Sequence, residues 1–119
     1  MEIIRHQVLD TAIAEIVSDE ILIHNAEDGL NILVDVYYQD FDYLILHANN
    51  ITPTFFHLKS GLAGEILQKF SNYRMKLAIV GNFVGLESKS LNEFIRESNK
   101  SSQIYFVNTL AEALSNFSK

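Results

Sequence analysis

Three short, nearly continuous apolar runs, each followed by a helix-start signal, constrain this chain more than any other feature. They are Tyr43-Leu44-Ile45-Leu46-His47-Ala48, Lys76-Leu77-Ala78-Ile79-Val80 and the stretch from Gln103 to Val107. Runs this short and this apolar suit strands buried on both faces. Thr52-Pro53 places a cap before a proline at the first helical position. Ser90-Leu91-Asn92-Glu93 and Thr109-Leu110-Ala111-Glu112 both have the spacing of a capping box, which explains Ser90 as a cap. Strands that alternate with helices are joined by right-handed crossovers, so these strands are expected to be parallel.

The start of the chain reads differently. Residues 2–9 and 12–17, separated by Asp10-Thr11, form a hairpin that adds an antiparallel strand at a sheet edge. Asn25 is a suitable N-cap, with Glu27 and Asp28 in the first turn, where the helix dipole favours acid. Leu30, Leu33, Val34 and Tyr37 then predict a helix over 26–39. Asp40 and Asp42 read as turn residues at its end. Leu62, Ile66, Leu67 and Phe70 mark another helical face, with residues 53–72 forming either one kinked helix or two. Leu91, Phe94 and Ile95, and later Leu110, Ala113, Leu114 and Phe117, supply two more stripes. The expectation is one α/β domain over 1–119. It has a mixed, mostly parallel five-stranded sheet, an N-terminal antiparallel hairpin and about four helices. One proline and five glycines leave little room for irregular chain.

Several function classes fall away. The net charge is −6, and lysine and arginine are scattered rather than clustered, so no nucleic-acid partner is expected. The absence of cysteine removes disulfides, thiolate metal sites and thiol nucleophiles. No apolar run approaches the roughly 18 residues of a membrane span, and no signal peptide is evident, so no membrane partner and a cytoplasmic location are expected. His6, His24, His47 and His57 show no metal-ligand spacing, so neither a metal nor a cofactor is expected.

In open parallel sheets, ligands bind outside the carboxyl ends of the strands. Four segments converge there: His47-Ala48-Asn49-Asn50, Lys59-Ser60-Gly61, the loop from Gly81 to Leu86, and Val107-Asn108-Thr109. Lys59-Ser60-Gly61 offers helix N–H groups, a hydroxyl and an ammonium to an anion. The plainer reading makes Ser60 a cap and Gly61 a relief of steric clash. The glycine spacing matches neither a P-loop nor a dinucleotide fingerprint. His47 as a general base would need a nucleophile; the plain alternative is a hydrogen-bonded histidine at a strand end. Phe83, Val84 and Leu86 either fold back onto the core or form an apolar patch for a partner.

Three stretches carry a family resemblance. They are Phe55-Phe56-His57-Leu58-Lys59-Ser60-Gly61-Leu62-Ala63-Gly64-Glu65-Ile66-Leu67, Tyr73-Arg74-Met75-Lys76-Leu77-Ala78-Ile79-Val80-Gly81, and Ser88-Lys89-Ser90-Leu91 through Glu97-Ser98-Asn99-Lys100. The chain resembles a bacterial family described as domain of unknown function 4180, which in turn is similar to the STAS fold of anti-sigma-factor antagonists. In those antagonists a central helix opens with Asp-Ser-x-Gly-Leu, and phosphorylation of that serine switches partner binding. Aligned on Gly61-Leu62, Leu58 stands at the aspartate position, Lys59 at the serine and Ser60 at the variable position, which makes Ser60 an off-register phosphorylation candidate. A permanent lysine is better suited to meeting an acidic group than to being switched.

The leading expectation is therefore a non-enzymatic interaction or regulatory module with an unidentified protein partner, working through Asn49, Asn50, Lys59, Ser60, Gly61, Asn82 and Phe83. A small-anion or nucleotide-like ligand at Lys59–Gly61 is the alternative. A small hydrolase-like enzyme using His47 or Ser60 is the third reading. Edge pairing of the first strand would give a homodimer.

Overall fold

Each apolar run becomes a strand, and each capped stripe becomes a helix. The computed structural model describes residues 1–118. In chain order the elements are β1 (Glu2–Val8), β2 (Thr11–Val17), α1 (Ala26–Tyr38), β3 (Tyr43–His47), α2 (Leu62–Asn72), β4 (Lys76–Val80), α3 (Lys89–Lys100), β5 (Ile104–Val107) and α4 (Leu110–Phe117). The five strands lie side by side in sequence order. β1 is antiparallel to β2, and every other pair is parallel.

That order decides where the helices go. Each crossover steps the same way along the sheet, so right-handed connections put α1, α2 and α3 on one face. Their residues Ile32, Leu33, Val36, Ile66, Phe70, Leu91 and Ile95 share a core with Ala14, Ile16, Leu44, Leu46, Leu77, Ile79 and Phe106. The opposite face carries Ile13, Ile45, Ala78 and Val107, covered by Ala113 and Phe117 of α4. α4 is only eight residues long and packs on β4 and β5. Phe117 extends this cover to Tyr43, with ring centroids 4.7 Å apart.

Local signals explain the helix starts. Asn25 Oδ1 accepts from the Asp28 N–H at 2.8 Å, and Thr109 Oγ1 accepts from the Glu112 N–H at 3.1 Å. Each satisfies an N–H that the helix cannot pair internally. The α3 cap differs from expectation. Ser88, not Ser90, accepts from the Leu91 N–H at 3.2 Å, and Ser90 sits inside the first turn. Asn92 fixes this choice by donating to the carbonyls of Leu86 and Ser88.

Two further expectations are corrected. Of the expected stripe Leu30, Leu33, Val34 and Tyr37, Leu33 is buried and Leu30 packs on the core, but Tyr37 is 44% exposed, and the buried face is completed by Gly29, Ile32 and Val36. The cause is the crossing with α2, where Ile66 packs 3.4 Å from the place a Cβ on Gly29 would occupy. Residues 53–72 are neither one kinked helix nor two α-helices. Two 3-10 turns, Pro53–Phe56 and Leu58–Ser60, precede α2. Gly61, at φ 79°, makes the left-handed step from the second turn into α2.

Candidate functional site

The carboxyl ends of β3 and β4 open into a groove of about 430 Å³. Its walls are the 3-10 turn Ala48–Asn50, the turn Pro53–Phe56, the loop from Gly81 to Leu86 and Leu91 at the start of α3. Gly81 makes this arrangement sterically feasible. A Cβ there would lie 2.8 Å from Ala48 Cβ and 2.8 Å from Phe83 Cζ. Without it, Phe83 folds back against Phe106 (ring centroids 5.5 Å, edge-to-face) and Phe56 (6.0 Å). The Phe83 N–H donates to Asn108 Oδ1 at 3.1 Å, which ties the loop after β4 to the end of β5. The fold-back expectation for this loop holds for two of its three apolar residues. Phe83 and Leu86 pack against the core, while Val84 is 73% exposed.

Of the residues singled out from sequence, Asn49, Asn82 and Phe83 line this groove. Among the described residues, neither Asn49 nor Asn82 uses its carboxamide in a hydrogen bond, and both side chains are exposed at the rim. Asn50 belongs elsewhere. It is only 2% exposed, and its amide donates to the carbonyls of Ser18 and Glu20, both at 2.8 Å. Its own backbone carbonyl accepts from the N–H groups of Leu22 and Ile23. Asn50 therefore braces the 18–23 segment, which carries Ile21 into the groove wall.

Lys59, Ser60 and Gly61 are exposed but lie outside the groove lining. Ser60 Oγ donates to the Thr54 carbonyl at 3.0 Å and accepts from the Leu62 N–H at 3.2 Å. The hydroxyl thus joins the turn before α2 to the first N–H of the helix, but the cap position itself is Gly61, which carries no side-chain cap and whose glycine is required by its positive φ rather than by a steric clash.

His47 turns away from the groove, onto the face that α4 partly covers. Its Nε2 lies 2.7 Å from Glu15 Oε2, and His6 Nε2 lies 2.8 Å from Glu15 Oε1. Strands β1, β2 and β3 thus contribute one residue each to a diagonal His6–Glu15–His47 line. Burial of Glu15 raises its carboxyl pKa, but the hydrogen bonds and charges of the two imidazoles outweigh burial and hold it below the ordinary 4.5. An ionised carboxylate only accepts hydrogen bonds, so both Nε2 atoms donate and both Nδ1 atoms are left facing away. His47 and Ser60 consequently have separate partners. The imidazole–hydroxyl pair that a hydrolase needs is not assembled. Among the described residues, no group of three or more His, Asp or Glu is placed to hold a metal ion.

The family model described as domain of unknown function (DUF4180) matches residues 9–117, nearly the whole chain. The chain belongs to the DUF4180 family. No curated protein and no solved structure matches it. The DUF4180 match takes in the entire groove together with Glu15 and His47, while His6 lies before it. No helix among the described residues of this DUF4180 domain is long and apolar enough to cross a membrane.

Sequence reasoning missed Ile21, Phe56 and Glu15. Glu15 carried a signal: it is the one charged residue in the run Ala12-Ile13-Ala14-Glu15-Ile16-Val17, on a strand buried on both faces. A buried acid requires partners on neighbouring strands, and two of the four histidines flank it. Ile21 and Phe56 carried none, because each is brought to the groove by contacts distant in sequence.

Proposed function

We propose that this DUF4180 domain is a protein-interaction module that receives an apolar side chain from an extended, uncharged peptide segment, seated between Phe56 and Phe83. The observation that carries this reading is the lining of the groove. It is aliphatic and aromatic, with no charged side chain, and it has two unengaged carboxamides, Asn49 and Asn82, at its rim. A carboxamide presents one acceptor and two donors, the complement of a peptide group. A groove of about 430 Å³ falls within the size of sites that enclose small ligands or side chains. A phosphate or carboxylate would find no countercharge in this lining, which favours the interaction reading over the anion alternative.

One anchored side chain contributes roughly 1.5–3 kcal/mol, and each peptide hydrogen bond about 1 kcal/mol. Such a contact is weak and exchangeable, as suits regulation. The STAS likeness supports the same reading through its layout: an opening hairpin, alternating helices and strands, and a working helix that opens after a central strand. Lys59 replaces the switching serine of that family and places a fixed positive charge near the start of α2. On this reading the module is a bacterial cytoplasmic regulator that takes an uncharged apolar anchor from its protein partner.

The test is a titration of ¹⁵N-labelled protein with a blocked acetyl-Ala-Leu-Ala-amide peptide. Side-chain amide signals of Asn49 and Asn82 and the backbone signal of Phe83 should move together, and Phe83→Ala should abolish the response. Shifts confined to residues 59–62, or no saturable shift, would count against the proposal.

A further inference from the structure

The two edges of the sheet are finished differently. On β5, Gln103 and Val107 direct their carbonyls at β4, accepting from Leu77 and Gly81 at 2.9 and 3.0 Å. Backbone direction alternates along a strand, so Ile104 and Phe106 face outward. The end of α3 covers them. Asn99 Nδ2 donates to the Phe106 carbonyl at 3.1 Å, and Asn99 Oδ1 accepts from the Phe106 N–H at 2.7 Å. The Ile104 N–H donates to Ser101 Oγ at 3.3 Å. One carboxamide thus completes this edge as a neighbouring strand would.

β1 has no such cover. The Ala12 carbonyl accepts from the Asp42 N–H at 2.8 Å, so the even-numbered residues of β2 face β3 and the odd-numbered ones face β1. Their partners Glu2, Ile4, His6 and Val8 face β2, which leaves Ile3, Arg5 and Gln7 facing outward. Among the described residues, no side chain hydrogen-bonds to the backbone of these three. The strand has seven residues, no proline and an unbroken register. An open edge of that kind is a template for another strand.

We infer that a second copy of this chain pairs its own β1 antiparallel against this edge across a two-fold axis, extending the sheet through both copies. The side chains select both the occupant and the register. Outward-facing residues must oppose outward-facing residues. A two-fold axis at Arg5 would set two arginines directly opposite, and like charges opposite each other are destabilising. An axis at Ile4 sets that residue, 36% exposed, against its own copy. It also sets Glu2 against His6 of the second copy on the same face, and Ile3 against Arg5 of the second copy on the other. Each Ile3–Arg5 pair then exchanges both backbone hydrogen bonds. Apolar meets apolar at the axis and acid meets imidazole beside it, and a single sequence supplies both halves.

The chain has no cysteine, so Ile4→Cys introduces its only thiol. A non-hydrogen-bonded antiparallel pair has Cα atoms about 4.5 Å apart, within reach of a disulfide. Under mild oxidation Ile4→Cys should form a covalent dimer at least about tenfold faster than Val84→Cys, although Val84 is the more exposed position and lies remote from the edge. Wild type should sediment as a dimer at high micromolar concentration. Ile4→Lys and Ile4→Glu should each sediment as monomers, while an equimolar mixture should restore the dimer, which a misfolded variant would not do. A monomeric wild type, equal cross-linking of Ile4→Cys and Val84→Cys, or faster cross-linking of Arg5→Cys would overturn the proposed pairing.

Discussion

Replacing Gly81 by alanine tests the packing that builds the groove. The backbone at Gly81 is outside the left-handed region, since only Gly61 and Gly85 among the glycines have positive φ. The effect is therefore steric and owes nothing to backbone strain. The new methyl would sit 2.8 Å from Ala48 Cβ and from Phe83 Cζ. Carbon atoms prefer about 3.5–4.0 Å, so roughly 1 Å must be gained against each neighbour. Phe83 can swing outward on its side-chain torsions, whereas Ala48 Cβ is fixed to the chain just after β3. Overpacking of this kind costs about 1–3 kcal/mol, against which the lower unfolded-state entropy of alanine returns about 0.4–1 kcal/mol. The net expectation is destabilisation of about 1–2 kcal/mol, or a fall in Tm of about 4–8 °C for a domain of this size. Thermal unfolding followed by circular dichroism measures it. Adding Ala48→Gly removes one of the two clashes, so the double variant should be more stable than the sum of the single effects by about 1 kcal/mol. A Gly81→Ala protein that melts at or above wild type, or strict additivity with Ala48→Gly, would refute the packing argument.

Further expectations concern the other polar contacts. Glu15→Gln should destabilise the protein by about 2 kcal/mol at pH 7, because it weakens two hydrogen bonds to a buried carboxylate. The folded-state pKa of Glu15 is depressed, so its stabilisation is fully present above the ordinary 4.5 and is lost as pH falls through the lower folded value. Denaturant titrations should therefore show wild type losing its advantage over Glu15→Gln as the pH falls below the ordinary 4.5; a difference that stays constant through acid would contradict the assignment. Ser88→Ala should cost about 1 kcal/mol as a lost cap, whereas Ser90→Ala should change stability by less than about 0.5 kcal/mol. The reverse order in urea midpoints would restore the capping-box reading. Asn50→Ala removes two hydrogen bonds made by a buried carboxamide and should cost about 2–3 kcal/mol by the same assay, while an exposed asparagine would cost far less.

The fold was legible because its signals are local. Short apolar runs such as 76–80 declare buried strands, and Asn25 and Thr109 declare helix starts whatever surrounds them. Where two local solutions compete, tertiary contacts decide. Ser88 and Ser90 both offer a hydroxyl, and Asn92 selects between them through Leu86 and Ser88. The buried face of α1 turns toward Gly29 because Ile66 of another helix packs there, a contact no periodicity contains. Asn49, Asn82 and Phe83 were found by the rule that loops at strand carboxyl ends converge. Asn50 follows the same rule and yet is buried, because the 18–23 segment folds over it. The His6–Glu15–His47 line becomes readable only once β1, β2 and β3 are known to be neighbours.

The central claim is that the groove between Phe56 and Phe83 receives an apolar side chain. Intermolecular nuclear Overhauser contacts between the leucine methyls of the blocked peptide and the labelled protein test it most directly. The methyls should touch the rings of Phe56 and Phe83 and the side chain of Leu86. Contacts found instead at Ile4 or His6 on the opposite sheet face, or at Lys59 and its neighbours, would contradict it.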